Sequence, residues 1–143
     1  MRRINDKHLL LRRFNPFNPD HYSVDEATQE KRLRSTSLRF DAYEESRGCS
    51  VYCDEYLTLN QLVRSDILED ASWRIAGATA SSIRTLDTGL LDAVLDQWPD
   101  GRENARPVDV AHSLIVAPLT VGRNAMRQLA KKLARDVFKE VAS

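Results

Sequence analysis

Apolar residues near the C-terminus recur at every fourth position: Val121, Ala125, Leu129, Leu133, Val137 and Val141. Met126, Ala130 and Phe138 widen the stripe. A second series, Arg123, Arg127, Lys131, Arg135 and Lys139 in "RNAMRQLAKKLARDVFK", keeps the same interval but starts two residues later. On a helix, two residues turn through about 200°, so the cations lie almost opposite the apolar stripe. The pattern predicts a long amphipathic helix, with Thr120 as its cap. Just before it, "AHSLIVAP" reads as a buried strand. "SWRIAGATA" alternates, with Trp73, Ile75 and Gly77 on one side, and predicts another strand.

Further upstream the periods are shorter. Ser23 followed by Glu26 matches a capping box, which predicts a helix from Val24 to about Leu33. "STSLRFDAY" predicts a strand around Leu38 and Phe40, "EESRG" a turn, and "CSVYCDEYL" a second strand. Leu59, Leu62, Val63 and Ile67 predict a helix starting near Thr58. "SSIRTLDTG" predicts a short helix closed by Gly89. Leu90–Trp98 fits helix or strand. "GRENARPVDV" predicts a loop. In "RFNPFNPDHY", two Asn-Pro steps disfavour helix, because the residue before proline is driven to extended geometry. Residues 1–22 therefore read as an extended arm with Phe14, Phe17 and Tyr22 as aromatic anchors. Residues 23–143 read as a single α+β domain of three to five strands, with the C-terminal helix packed on them.

Composition agrees with one globular domain. The chain has 143 residues, 42% hydrophobic and 29% charged. "LIVAPL" is its longest apolar run and is far short of the roughly 18 residues of a membrane helix. The N-terminal leucine run is too short for a secretory signal, and two cysteines give no disulfide framework, so a cytoplasmic location is expected. Net charge is zero, but both ends are basic and the middle is acidic. That suits ends that reach a partner, and equally ends that fold back on the body.

Candidate chemistry is sparse. The cationic series could meet phosphate, but lysine and arginine also serve as the wet face of an ordinary helix and complement its C-terminal dipole. No aromatic residue stands among these cations to stack a base. Cys49 and Cys53 are four apart, which on a strand puts them on one face. With His8, His21 and His112 unpaired in spacing they form no zinc pattern, so no metal and no cofactor is expected, and the thiols read as structural. His112 lies at the entrance to the clearest strand, beside Ser113. Sequence neighbours do not make a triad, and there is no nucleophile elbow or Gly-rich phosphate loop. The paired acids Asp25/Glu26, Glu44/Glu45, Asp54/Glu55 and Glu69/Asp70 point different ways on any regular element.

"LRSTSLRFDAYEESRGCSVYCDEYL" and "VDVAHSLIVAP" followed by a basic helix together resemble a pattern in small bacterial proteins of unknown function, over about residues 33–135. Pro118 stands where that pattern has a glycine. The resemblance implies a bacterial accessory protein and no catalytic residues.

Three functions follow as expectations. The first is a non-enzymatic cytoplasmic subunit of a defence or stress system, docking on a larger protein partner through Phe14, Phe17 and Tyr22. The second is a nucleic-acid-associated protein using Arg123, Arg127, Lys131 and Arg135, joined by Arg2, Arg3, Arg12 and Arg13. The third is an enzyme centred on His112. No membrane contact is expected, and the sequence leaves the oligomeric state open.

Overall fold

A computed structural model describes residues 2–42, 46–87, 89–96 and 105–143. Its strands are β1 (Arg2–Arg3), β2 (Leu9–Phe14), β3 (Tyr22–Val24), β4 (Lys31–Leu33), β5 (Asp41–Ala42), β6 (Ser46–Cys53), β7 (Arg74–Thr79), β8 (Asp92–Leu95), β9 (His112–Pro118) and β10 (Lys139–Val141). Three α-helices accompany them: α1 (Asp54–Leu59), α2 (Ala80–Arg84) and α3 (Arg123–Lys132). The α+β class holds, but the described residues form ten strands rather than three to five. The excess lies in two- and three-residue strands, too short to show any alternation of polarity.

One antiparallel sheet runs in the order β1-β8-β9-β6-β2-β7-β10, with β5 added to β6; β3 and β4 form a separate hairpin. That hairpin replaces the expected helix at residues 24–33. Asp25 accepts from the amides of Ala27 and Thr28, and Gln29 takes φ 60°, so the chain turns instead of coiling. The segment expected as an arm supplies β1 and β2. Phe14 is wholly buried, and β2 lies between β6 and β7.

The sheet is covered on both sides. One face carries Leu10, Phe14, Cys49, Val51, Cys53 and Ile115 against α3, α2 and the segment around Leu33 and Leu38. The other carries Leu11, Tyr52 and Ile75 against Leu57 of α1, Ile67, and Val108 and Ala111 of a short 3-10 turn. Double coverage explains why Leu9–Leu11 of β2 and Leu114–Ala117 of β9 are apolar at consecutive positions. Gly77 allows a close approach across β7: a Cβ there would stand 3.1 Å from Val141 and 3.2 Å from Leu9. Both cysteines lie on the inner face of β6, free and buried, and burial pushes the Cys49 thiol up to about 11 even though Arg12 pulls it down.

The final helix is shorter than its periodicity. α3 starts at Arg123 behind Gly122 rather than Thr120, and it ends at Lys132 in a π-helical turn over Leu133–Val137. Its Met126, Leu129 and Ala130 are buried, while Ala125 is exposed. Val141 and Lys139 belong to β10, where Lys139 pairs with Gly77. The four-residue period cannot register this change, because residues four apart also share a face on a strand. No described helix is long and apolar enough to cross a membrane.

The sheet forks at its centre. β2 pairs with β7 from Leu9 to Phe14, but with β6 only through Leu10↔Cys53 and Leu11↔Tyr52. β5 pairs with β6 only at Gly48 and Arg47. Arg12 fills the gap. Its Nη1 donates to the Ser50 carbonyl at 2.8 Å and its Nη2 to the Ser37 carbonyl at 2.6 Å. Charged donors of this kind are the stronger class of protein hydrogen bond. Arg12→Ala should lower the unfolding free energy by about 2 to 4 kcal/mol, because both carbonyls lose a charged donor. Urea denaturation measures this, and Arg12→Lys should recover only part, since an ammonium cannot reproduce the fork.

Candidate active site

On the face of β6 opposite the cysteines, Ser50 and Tyr52 project together because they are two residues apart. β9 pairs alongside, with Tyr52 opposite His112 and Ser50 opposite Leu114. Ser50 and His112 are thus diagonal neighbours, within reach of long side chains. His112 Nε2 lies 3.2 Å from Ser50 Oγ. On the far side of β9, β8 pairs through Leu95↔Ser113, and the Asp96 amide donates to the His112 carbonyl at 2.8 Å. His112 Nδ1 is 3.0 Å from the Asp96 carbonyl oxygen and 3.4 Å from its carboxylate. Ser50 of β6, His112 of β9 and Asp96, the residue that follows β8, therefore form a row across the sheet.

The row has a defined polarity. A main-chain carbonyl only accepts, so in neutral His112 the proton belongs on Nδ1. In that tautomer Nε2 carries no proton and accepts from Ser50 Oγ–H, 3.2 Å away. His112 is 4% exposed, and its ring meets that of Tyr52 edge-on, with centroids 6.1 Å apart. The arrangement orients a base against a hydroxyl in the way a nucleophile–base–orienter set requires.

Next to this row is a cleft of about 320 Å³. Leu11, Ser50, Tyr52 and His112 line it, with the arginines Arg12, Arg13 and Arg106 and the acids Glu69 and Asp109. Arg106 Nη2 donates to the Tyr52 hydroxyl at 2.8 Å. Arg13 donates to the Ile67 carbonyl and to Glu69, at 2.7 and 3.0 Å, and its guanidinium lies 5.9 Å from the centre of the Tyr52 ring. The buried Asp109 accepts from the Arg106 amide through Oδ2, at 2.7 Å, which fixes the start of the 3-10 turn at Pro107–Ala111. Its Oδ1 has no hydrogen-bond partner among the described residues. Three guanidinium groups against two carboxylates make a cationic cleft that favours an anion.

The residues expected from sequence are spread over the molecule. His112 is in the cleft. Arg12 and Arg13, foreseen as nucleic-acid contacts, frame it, while Arg2 and Arg3 lie on the edge strand β1. Phe14 is in the core, Tyr22 is half-buried with Lys31 Nζ 4.5 Å from its ring centre, and Phe17 is 71% exposed. Arg123, Arg127, Lys131 and Arg135 are exposed on the other face of the sheet, with Arg135 paired to Asp136 at 2.9 Å. Of the acid pairs, Glu44/Glu45 lies outside the described residues, and Asp54 is engaged by Arg64 at 2.9 Å. Among the described residues no group of three or more ligands could hold a metal ion.

Ser50, Asp96 and Arg106 were not singled out from sequence. Ser50 and Tyr52 left one trace, two polar-capable residues on one face of a strand whose other face is apolar. Asp96 left none, since it reaches His112 only through the pairing of β8 with β9. Set against protein-family models, curated proteins and solved structures, the chain has no match in any of the three, so its chemistry is read from the cleft alone.

The geometry fixes a measurable tautomer: neutral His112 should carry its proton on Nδ1, the minority form of free imidazole. Long-range proton–nitrogen correlation spectra report this directly. A dominant Nε2–H form would show that Nε2 donates to Ser50 and cannot act as its base.

Proposed function

We propose that this chain is an enzyme that hydrolyses small anionic esters, with Ser50 as nucleophile, His112 as general base and acid, and Asp96 as the group that orients the imidazole. The reading rests on one observation: the 3.2 Å contact between Ser50 Oγ and His112 Nε2, with Nδ1 3.0 Å from the Asp96 carbonyl oxygen, at the wall of an arginine-lined cleft. The cleft lies at the small end of ligand pockets, which range over roughly 300–1,000 Å³.

In the proposed reaction Ser50 Oγ attacks the ester carbon while His112 Nε2 takes the hydroxyl proton. The protonated imidazole then gives that proton to the departing alkoxide, leaving an acyl-serine and an alcohol. Water, deprotonated by the same nitrogen, attacks the acyl carbon and restores Ser50, releasing the acid. The guanidinium groups of Arg13 and Arg106 hold the substrate's anionic group and add positive charge where the tetrahedral oxyanion develops. A buried histidine with both nitrogens satisfied can also be purely structural. The cationic cleft beside it favours the catalytic reading, because a structural histidine needs no cleft lined by three arginines.

A fluorophosphonate probe should add covalently to Ser50, located by mass spectrometry, and should fail to do so in a folded His112→Ala protein. Turnover of carboxylate-bearing fluorogenic esters should fall by about 10² or more in Ser50→Ala and His112→Ala. Asp96→Asn should cost far less, under about tenfold, because the main-chain carbonyl of residue 96 still accepts from Nδ1. A wild-type protein with no adduct and no turnover above the Ser50→Ala background would overturn the reading.

A second reading, docking on a larger protein partner, has the exposed ring of Phe17 in its favour, with Lys31 Nζ 5.2 Å from the ring centre. If that ring is an anchor, Phe17→Ser should weaken capture of the partner from native lysate at least about fivefold while leaving stability within about 0.5 kcal/mol, as for most exposed positions.

A further inference from the structure

The face of the sheet opposite the cleft carries a second concavity, of about 470 Å³, between α3 and the chain that leads into β5. Its cationic wall is Arg123, Arg127 and Lys131 from α3 and Arg47 from β6, and Phe40 and Met126 contribute apolar surface. Lys131 and Ser35 also line an adjoining hollow that extends toward Arg135. Arg47 is held in place by its Nε bond to the Val121 carbonyl at 3.2 Å. Asp41 also borders the groove, with Arg39 Nη2 3.6 Å from its carboxylate. Among the described residues no carboxylate pairs with Arg123, Arg127 or Lys131, and α3 itself contains no acid.

The sequence shows the cations but not the ring. No aromatic residue stands in the cationic series, yet the fold brings Phe40 across from it, half-buried against the core. Four residues advance a helix by about 6 Å, so Arg123, Arg127 and Lys131 present charge at regular steps along the groove. An aromatic surface next to a track of cations is the arrangement by which single-stranded nucleic acids are held without sequence reading. A duplex, with its bases stacked inside, can use the cations but not the ring.

We infer that the groove between α3 and Phe40 binds single-stranded nucleic acid, with Arg123, Arg127, Lys131 and Arg47 on successive phosphates and Phe40 stacked on a base. The site shares no residue with the Ser50 cleft and lies on the other face of the sheet, so either can fail alone.

The test is fluorescence anisotropy with labelled 12-nucleotide single strands of RNA and DNA and with the matching duplex. Binding should be measurable at low salt. Log K should fall with log salt at a slope near −2 to −3, as expected for about three to four neutralised phosphates on a single strand. Arg123→Glu/Arg127→Glu, both on the exposed side of the helix, should abolish binding and leave the melting temperature unchanged. Phe40→Ala should weaken single-strand binding roughly tenfold, at the lower end of base–aromatic stacking, and leave duplex binding unchanged. Phe40→Trp should restore it should the alanine variant lose stability. Absence of binding at low salt, affinity indifferent to the double charge reversal, or a duplex bound as tightly as the single strand would each overturn the inference. Ser50→Ala should leave this binding untouched.

Discussion

The structure depends on how one strand parts from another. β6 is paired with β9 over almost its whole length but shares only two residue pairs with β2, and past that point the sheet opens. An open seam in a covered sheet would leave carbonyls stranded, a cost of the order of 1–3 kcal/mol each. Arg12 closes the seam with a charged fork instead of a strand. The substitution has a chemical effect, because it places a guanidinium next to Ser50 and leaves room there for a cleft.

Around that seam the fold spends its apolar residues on both sides. Leu10 and Phe14 face the layer under α3, while Leu11 faces the layer under α1 and the 3-10 turn at Pro107–Ala111. Support from two layers holds β6 and β9 in register, and register alone decides which polar side chains meet. A slip of one residue would send Ser50 and His112 to the thiol-bearing side. The row Ser50–His112–Asp96 thus inherits its geometry from the core.

Sequence patterning reached the elements that are long or strictly periodic. β7, β9 and the buried part of α3 were visible, as was the shared face of Cys49 and Cys53. It failed where four-residue spacing fits two structures, as at Lys139 and Val141, and where a polar turn imitates a helix cap, as at Ser23 and Glu26. Among the candidate residues His112 stood out by its place at the head of a strand. Its partners did not, since Ser50 lies 62 positions before it and Asp96 16 positions before it. Arg12 and Arg13 read as a basic end of the chain, and only the topology turns them inward. Phe40 likewise gains its meaning from a neighbour far along the chain.

The order of strands carries a consequence for how the molecule comes into being. β6 and β9 are neighbours in space but are separated by α1, β7, α2 and β8 along the chain. Closing so long a loop is entropically costly and tends to come late in folding. The serine and the imidazole therefore stay apart through every partly assembled state that lacks the β6–β9 ladder. On the proposed hydrolytic reading, a nascent or damaged chain would be kept chemically silent by its own topology, and reactivity would arrive together with the finished sheet.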